Sequence, residues 1–190
     1  MGKSALIQYM LKGSPGDMDP EIEESFRKQM EIDGEMVLLD VLDVVPMEYT
    51  QPPFSMRGRD GWLRTCEGAV LVYDVTSRVS FERLIGSEQA WIDRWVRAKG
   101  IDGPGGYPLV LVANKIDLVV EGGGGGNRVV SREEGEELAS QYGFEYFETS
   151  AKTGMNVEQV FEACVRLIKA KRIEEEEEEA ARAKKKCRLM

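Results

Sequence analysis

The chain has 190 residues and a formal net charge of −9, and hydrophobic and charged residues make up 42% and 31% of it. These values are ordinary for one globular domain, and the acidic balance argues against non-specific nucleic-acid binding, which needs a basic surface. The absence of histidine excludes His-based catalytic triads and His-containing metal sites, and three scattered cysteines argue against a disulfide framework and for a reducing compartment.

Apolar runs alternate with amphipathic stretches along the chain. Four runs predict strands, at 37–42, 69–73, 109–113 and 144–148. The two middle runs are nearly continuous, as expected for parallel strands buried on both faces. Helical spacing predicts one helix from Ser80 to about Ala98, a second that opens with a capping box at Ser131, and a long third that opens at Asn156. This alternation predicts an α/β fold with a doubly wound, mostly parallel sheet.

The first residues match the end of a phosphate-binding motif. Gly2, Lys3 and Ser4, followed by Ala5, fit the last part of the P-loop pattern GxxxxGK[ST], in which backbone N–H groups and the lysine hold phosphates and the serine binds Mg²⁺. Three residues are a weak signal, and the alternative is a chance Met-Gly-Lys start. Because the first glycine, the wrapping loop and the strand before it are missing, we expect the neighbouring strands to lose hydrogen-bond partners.

A motif after the 109–113 run points to a guanine base. Asn114, Lys115 and Asp117 follow a buried strand, where doubly wound folds place their ligand-binding loops. The Asp117 carboxylate can accept hydrogen bonds from the N1–H and 2-amino groups of guanine, and adenine offers neither. Lys115 would lie along the base and Asn114 would hold the loop.

A second motif follows the last predicted strand. Ser150, Ala151 and Lys152 stand there, and the backbone N–H of Ala151 could donate to guanine O6. Taken singly, the first motif could be a strand-to-helix loop with chance residues and the second a helix start. Together, in this order and spacing, they predict a guanine site.

Six segments, in chain order, resemble the Ras family of small GTPases over about residues 2–173. They are GKSAL at 2–6, DPEIEESFRKQ at 19–29, LLDVLD at 38–43, MRGRDGWLRTCEG at 56–68, NKID at 114–117 and ETSAK at 148–152. The resemblance implies a P-loop GTPase fold that lacks its first strand, with a long C-terminal helix and a flexible tail. It divides the chain into a Ras-like domain at 1–173 and a tail at 174–190.

The resemblance also implies the ligands and the residues that hold them. GDP or GTP would bind with Mg²⁺, through 2–5 for the phosphates, Ser4 and Asp43 for the metal, and 114–117 with 150–152 for the base. Members of this family hydrolyse GTP slowly and switch their binding of effector and regulator proteins through two loops, which correspond here to 19–29 and 43–65.

Both switch segments depart from the family pattern. Glu21 stands where the family has the threonine that senses the γ-phosphate, and Pro46 replaces a glycine whose N–H binds it. Met47 occupies the position of the glutamine that orients the attacking water, so we name no certain catalytic residue and expect slow hydrolysis. Two alternatives stay open: a pseudo-GTPase that binds partners without switching, and an incomplete gene model of a GTPase.

The tail predicts a lipid anchor. Cys187 is fourth from the end, which fits the prenylation pattern, and Lys184–Lys186 supply the second, basic signal that stable membrane binding needs. A charged, solvated tail with a chance cysteine is the alternative. The acidic run Glu174–Glu179 would either extend the last helix or fray as a spacer. We therefore expect the protein at the cytoplasmic face of a membrane, the plasma membrane in particular.

Overall fold

The structure is a computed structural model that describes residues 1–14, 24–44, 61–85, 91–100, 107–119 and 127–187, without the side chains of 24, 61, 62 and 184–187. Its elements in chain order are α1 (Lys3–Lys12), β1 (Glu24–Ile32), β2 (Glu35–Asp43), α2 (Gly61–Thr65), β3 (Ala69–Asp74), α3 (Arg78–Glu82), α4 (Trp91–Lys99), β4 (Leu109–Asn114), α5 (Arg132–Tyr142), β5 (Glu145–Thr149) and α6 (Val157–Cys187). A short 3-10 helix, Ile116–Leu118, follows β4.

The described strands form two separate sheets. β3, β4 and β5 make a parallel sheet in that order, and β1 pairs with β2 as an antiparallel hairpin. The α/β fold and all four predicted strands are confirmed, whereas the sequence patterns gave no signal for β1. The hairpin turns at Asp33 and Gly34, whose φ angles of 55° and 81° are the pair that a tight two-residue hairpin turn requires.

Apolar side chains of the parallel sheet pack on both of its faces. Every residue of β4 is buried, as predicted for a central parallel strand. Val110 and Val112 face a core shared with α1 and α6, whereas Leu109 and Leu111 face a core shared with α4 and α5. The sheet therefore has the two covered faces of a doubly wound fold.

The predicted single helix from Ser80 to about Ala98 is wrong within the described residues. Helix α3 ends at Glu82, and a turn follows in which the N–H groups of Leu84 and Ile85 bond to carbonyls three residues back. This tighter bonding ends the helical ladder of α3, and α4 is a separate helix at Trp91–Lys99. The capping box at Ser131 is confirmed, because its side chain and that of Glu134 bond reciprocally to each other's backbone N–H.

Helix α6 fastens the hairpin to the rest of the domain. Arg166 bonds to Asp33 in the hairpin turn, at 2.9 Å, and Lys169 bonds to Glu35 at 2.7 Å. The helix continues through the acidic run to Cys187, so the run extends the last helix, one of the two alternatives above. In the part of the chain that the structure describes, no helix combines the length and apolar character needed to cross a membrane.

Candidate functional site

Asn114, the last residue of β4, joins three parts of the site. Its side-chain oxygen accepts from the hydroxyl of Thr149 and from the backbone N–H of Ala151, both at 3.1 Å, and its amide nitrogen donates to the carbonyl of Met1 at 3.1 Å. The residue is only 1% exposed. Losing one of these bonds would leave a buried polar group unpaired, which is costly. Asn114 therefore holds the ends of β4 and β5 and the residues before α1 together.

Asp117 lies in the 3-10 helix after β4 with its side chain exposed. Its carboxylate accepts a hydrogen bond of 2.6 Å from the hydroxyl of Ser150, which in turn accepts from the backbone N–H of Thr153. Ser150 itself is almost fully buried. A buried, bonded hydroxyl thus orients an exposed carboxylate, which is the arrangement that recognition of a base edge needs.

The backbone N–H predicted to meet guanine O6 already has a partner. Ala151 donates it to Asn114, so a bound base would have to share or replace this bond. Lys152, next along the turn, is exposed.

Lys115 is positioned by a residue that the sequence analysis did not single out. Its ammonium pairs with the carboxylate of Asp74 at 2.7 Å, and Asp74 also accepts from the backbone N–H and the hydroxyl of Thr76. Burial raises the pKa of Asp74, but the bonds to Lys115 and Thr76 outweigh it and hold the pKa below its usual value. The sequence does place Asp74, a charged residue, directly after the apolar run of β3, and this position could have marked it as a candidate site residue.

The start of α1 packs directly against the loop after β4, which is predicted to read the base. Gly2 precedes the helix with a φ of 87°, in the left-handed region that favours glycine. A Cβ at Gly2 would lie 2.5 Å from the amide nitrogen of Asn114, so only glycine allows this close approach. Ser4 and Ala5 follow in the first turn, half-buried.

Lys3 and Asp43 interact through charge beside a cavity that both residues line. Burial lowers the pKa of the Lys3 ammonium, and the Asp43 carboxylate partly offsets this shift. Asp43 is the last residue of β2 and is 6% exposed, and both residues line one cavity. A half-buried lysine beside a buried carboxylate could hold an anion and a cation that bind as a pair.

The described residues fit Mg²⁺ only as part of a nucleotide complex. No group of three or more Asp, Glu, Cys or His side chains suited to a metal occurs among them. Ser4 and Asp43 would supply a hydroxyl and a carboxylate, and Mg²⁺ commonly takes its remaining ligands from water and phosphate oxygens.

Three switch predictions lie outside the described residues, namely those on Glu21, Pro46 and Met47. The side chain of Cys187 lies outside them too, although its backbone ends α6.

A model of the Ras family matches residues 1–170. The "Ras-like protein" of Laccaria bicolor is 44% identical over 169 residues, which cover 88% of this chain and 72% of that protein. "Protein ras-1" of Neurospora crassa is 41% identical over 89% of this chain and 71% of its own length. "Ras-like protein rasX" of Dictyostelium discoideum is 37% identical over 90% and 72%. The chain belongs to the Ras family of small GTPases, GTP hydrolases that bind guanine nucleotide with Mg²⁺ and act with regulator and effector proteins.

Proposed function

We propose that this chain binds guanine nucleotide through Asp117, with the phosphates near Lys3. The observation that carries the proposal is the exposed Asp117 carboxylate held by Ser150 at 2.6 Å, beside a loop that Asn114 ties to α1. The carboxylate would accept from N1–H and the 2-amino group of guanine, and the stem of Lys115 would lie along the base.

At the phosphate end, Lys3 would pair with phosphate oxygens, and the first N–H groups of α1 (Gly2–Ala5) would add the positive end of the helix dipole. Ser4 and Asp43 would hold Mg²⁺, which, when bound, neutralises charge on the phosphates. Lys3 supports this role because burial already disfavours its charge, so an arriving anion stabilises the ammonium.

Hydrolysis by this chain is proposed to be slow. Met47 has a thioether in the place of the water-orienting amide, and Pro46 has no N–H for the γ-phosphate. We expect Met47→Gln to raise single-turnover GTP hydrolysis, with Pro46 still limiting the rate. A pseudo-GTPase is the second candidate, and no change in the Met47→Gln variant would favour it.

Effector and regulator proteins are proposed to bind at 19–29 and 43–65. The start of β1 supports this, because Ser25, Arg27 and Gln29 are exposed along one face of the hairpin. Partners could reach this face without disturbing either core.

Membrane association is proposed through a prenylated Cys187 and the basic residues Lys184–Lys186. The helical course of the acidic run supports a stiff spacer that holds the domain away from an anionic leaflet. Cell fractionation of the wild type and Cys187→Ser tests this, with loss of the membrane fraction expected. An unchanged membrane fraction would contradict it.

The base assignment is tested by titrating fluorescent GDP and ADP, with Mg²⁺, against the wild type and Asp117→Ala. Loss of two hydrogen bonds to a carboxylate predicts about a hundredfold weaker GDP binding in the variant, with ADP unchanged. Glu158→Ala, an exposed carboxylate in the first turn of α6, is the matched control.

Asp117→Asn gives a test that loss of folding cannot imitate. Xanthine carries an oxygen where guanine carries its 2-amino group, and the asparagine amide can donate to it. We expect the variant to prefer xanthosine diphosphate to GDP. Equal GDP affinity in the wild type and both variants would refute the assignment.

A further inference from the structure

The two oxygens of the Asp74 carboxylate have different partners. Oδ1 accepts hydrogen bonds from the backbone N–H and the hydroxyl of Thr76, at 2.9 and 2.6 Å. Oδ2 pairs with the ammonium of Lys115 at 2.7 Å. The turn after β3 therefore orients the carboxylate, and its second oxygen is left to face the lysine.

The backbone of Asp74 is held as well as its side chain. The residue ends β3 in register with Asn114, and its N–H donates to the hydroxyl of Ser80 at 2.9 Å. The next N–H, of Val75, donates to the carbonyl of Asn114 at 3.1 Å. Because Lys115 follows Asn114 directly, the end of one strand presents a fixed carboxylate to the residue just beyond its neighbour.

Lys115 is more accessible than its partner. Its side chain is 40% exposed, whereas that of Asp74 is 8% exposed. Its backbone has a φ of 70°, in the left-handed region that residues other than glycine seldom adopt. The pair thus joins an accessible lysine in an uncommon backbone conformation to a buried, well-bonded anchor.

The anchor is charged at neutral pH. Burial raises the pKa of Asp74, yet the hydrogen bonds from Lys115 and Thr76 hold the pKa below its ordinary value. An ion pair with one buried member is screened less by solvent than a pair at the surface. Lys115 is therefore held more firmly than an exposed lysine on a loop would be.

Holding a lysine in advance changes what a ligand must do to bind beside it. A free lysine side chain loses much rotational freedom when it is fixed against a ligand. An ion pair at its ammonium removes part of that freedom before the ligand arrives. Preorganised contacts cost less to form, and differences in affinity between related complexes lie mostly in the rate of release.

We propose that Asp74 is a positioning residue for guanine nucleotide, which slows release of the nucleotide by holding Lys115 along the base. The inference rests on the proposed function, since it takes the guanine base as the ligand beside Lys115. It adds a residue that acts on the base through another side chain, and it assigns to that residue an effect on residence time.

The test measures the rate at which labelled GDP leaves the full chain in the presence of Mg²⁺ and an excess of unlabelled GDP. Asp74→Ala should release GDP about tenfold faster than the wild type. Asp74→Asn keeps the size of the side chain and an oxygen for Thr76, but it loses the charge, so its release should also be faster. Glu82→Ala removes an exposed carboxylate of α3 and should release GDP like the wild type.

Lys115→Met separates positioning from a general effect on the fold. Methionine keeps an unbranched apolar stem and lacks the ammonium, so Asp74 has nothing to hold in this background. Adding Asp74→Asn to Lys115→Met should therefore change the release rate by less than about twofold. A purely structural role of Asp74 would accelerate release equally in both backgrounds.

Inosine diphosphate supplies a second readout, because its base lacks the 2-amino group that Asp117 is proposed to read. Lys115 is proposed to lie along the face of the base, not at that edge. Asp74→Asn should therefore accelerate release of the two nucleotides by the same factor. A factor that differs between them would mean that the variant disturbs Asp117, which would overturn the proposed route through Lys115.

The outcomes separate this inference from the proposed function. If the wild type retains no GDP, the proposed function fails and the inference fails with it. If the wild type retains GDP and Asp74→Asn releases it at the same rate, only the inference fails. Equal acceleration with and without the Lys115 ammonium would make Asp74 a structural residue and would also overturn the inference.

Discussion

The loops after β4 and β5 differ sharply from the region where β2 ends beside α1. In the loops, Asn114 and Ser150 are buried and bonded, and they hold a single exposed carboxylate in place. Beside α1, Lys3 and Asp43 line a large cavity with mostly apolar walls. The contrast teaches that the proposed base-reading half of this site is held by its own hydrogen bonds, whereas at the proposed phosphate half Lys3 and Asp43 interact through charge.

The largest expected effect is the loss of stability when the hydrogen bonds of Asn114 are removed. Asn114→Ala removes the acceptor of two buried bonds and the donor of a third, and it should lower the free energy of unfolding by about 3 kcal/mol, measured by urea denaturation. The exposed Asn127→Ala should change it by less than about 0.5 kcal/mol. If Asn114→Ala and the wild type unfold at the same midpoint urea concentration, the hydrogen bonds of Asn114 do not stabilise the site as described.

The phosphate half is tested by Asp43→Asn. If Asp43 helps to hold Mg²⁺, the variant should lose about tenfold or more of the gain in GDP affinity that Mg²⁺ gives, measured by titration with and without the metal. Asp40→Asn, on the exposed face of the same strand, should keep the full gain. If Mg²⁺ raises the GDP affinity of Asp43→Asn as much as that of the wild type, Asp43 is not a Mg²⁺ ligand.

A smaller effect is expected next to the second base-reading motif. Arg128 pairs with Glu148 at 2.7 Å, with side chains 23% and 17% exposed. Arg128→Ala should lower the free energy of unfolding by about 1–2 kcal/mol, because it removes the closer of the two cations that pair with a mostly buried carboxylate. Arg182→Ala, at an 82% exposed side chain that pairs with Glu178, should have a minor effect. Equal losses in the two variants would show that burial does not decide the outcome.

The smallest effect concerns pH. Bonds from Arg78 and the Ser131 N–H lower the pKa of Glu134 from 4.5 to about 2. A carboxylate with a lowered folded pKa stabilises the fold above its unfolded pKa, and this contribution is lost as pH falls from about 4.5 toward about 2. NMR titration should show the low pKa in the wild type and a rise toward the ordinary value in Arg78→Ala. Identical titration curves would contradict the role of Arg78.

Much of the parallel sheet could be predicted because its central strands lie between two apolar cores. The continuous apolar runs of β3 and β4 admit few other interpretations, and Ser131 with Glu134 marks the start of α5. The sequence pattern did not predict β1, because its polar and apolar residues are mixed. The strand is held by its antiparallel pairing with β2. The break after Glu82 was missed because the apolar spacing continues through a turn.

The sequence predicted those site residues that are close together in one motif. It did not predict contacts between residues that are far apart in the chain. Asn114 and Asp117 stand in one short motif, but the pairing of Lys115 with Asp74 joins the ends of neighbouring strands. The cavity beside Lys3 and Asp43 is lined by residues of β2, β3, α1 and α6, and only the assembled fold brings these distant segments together.

The most direct test of the central contrast is one set of calorimetric titrations of the full chain with GDP, GTP and ADP in the presence of Mg²⁺. We expect GDP and GTP to bind within about tenfold of each other and at least about a hundredfold more tightly than ADP, because the proposed base-reading residues are held in place and the residues at the predicted γ-phosphate positions differ from the family pattern. ADP binding as tight as GDP binding, or no binding of any nucleotide, would contradict the account.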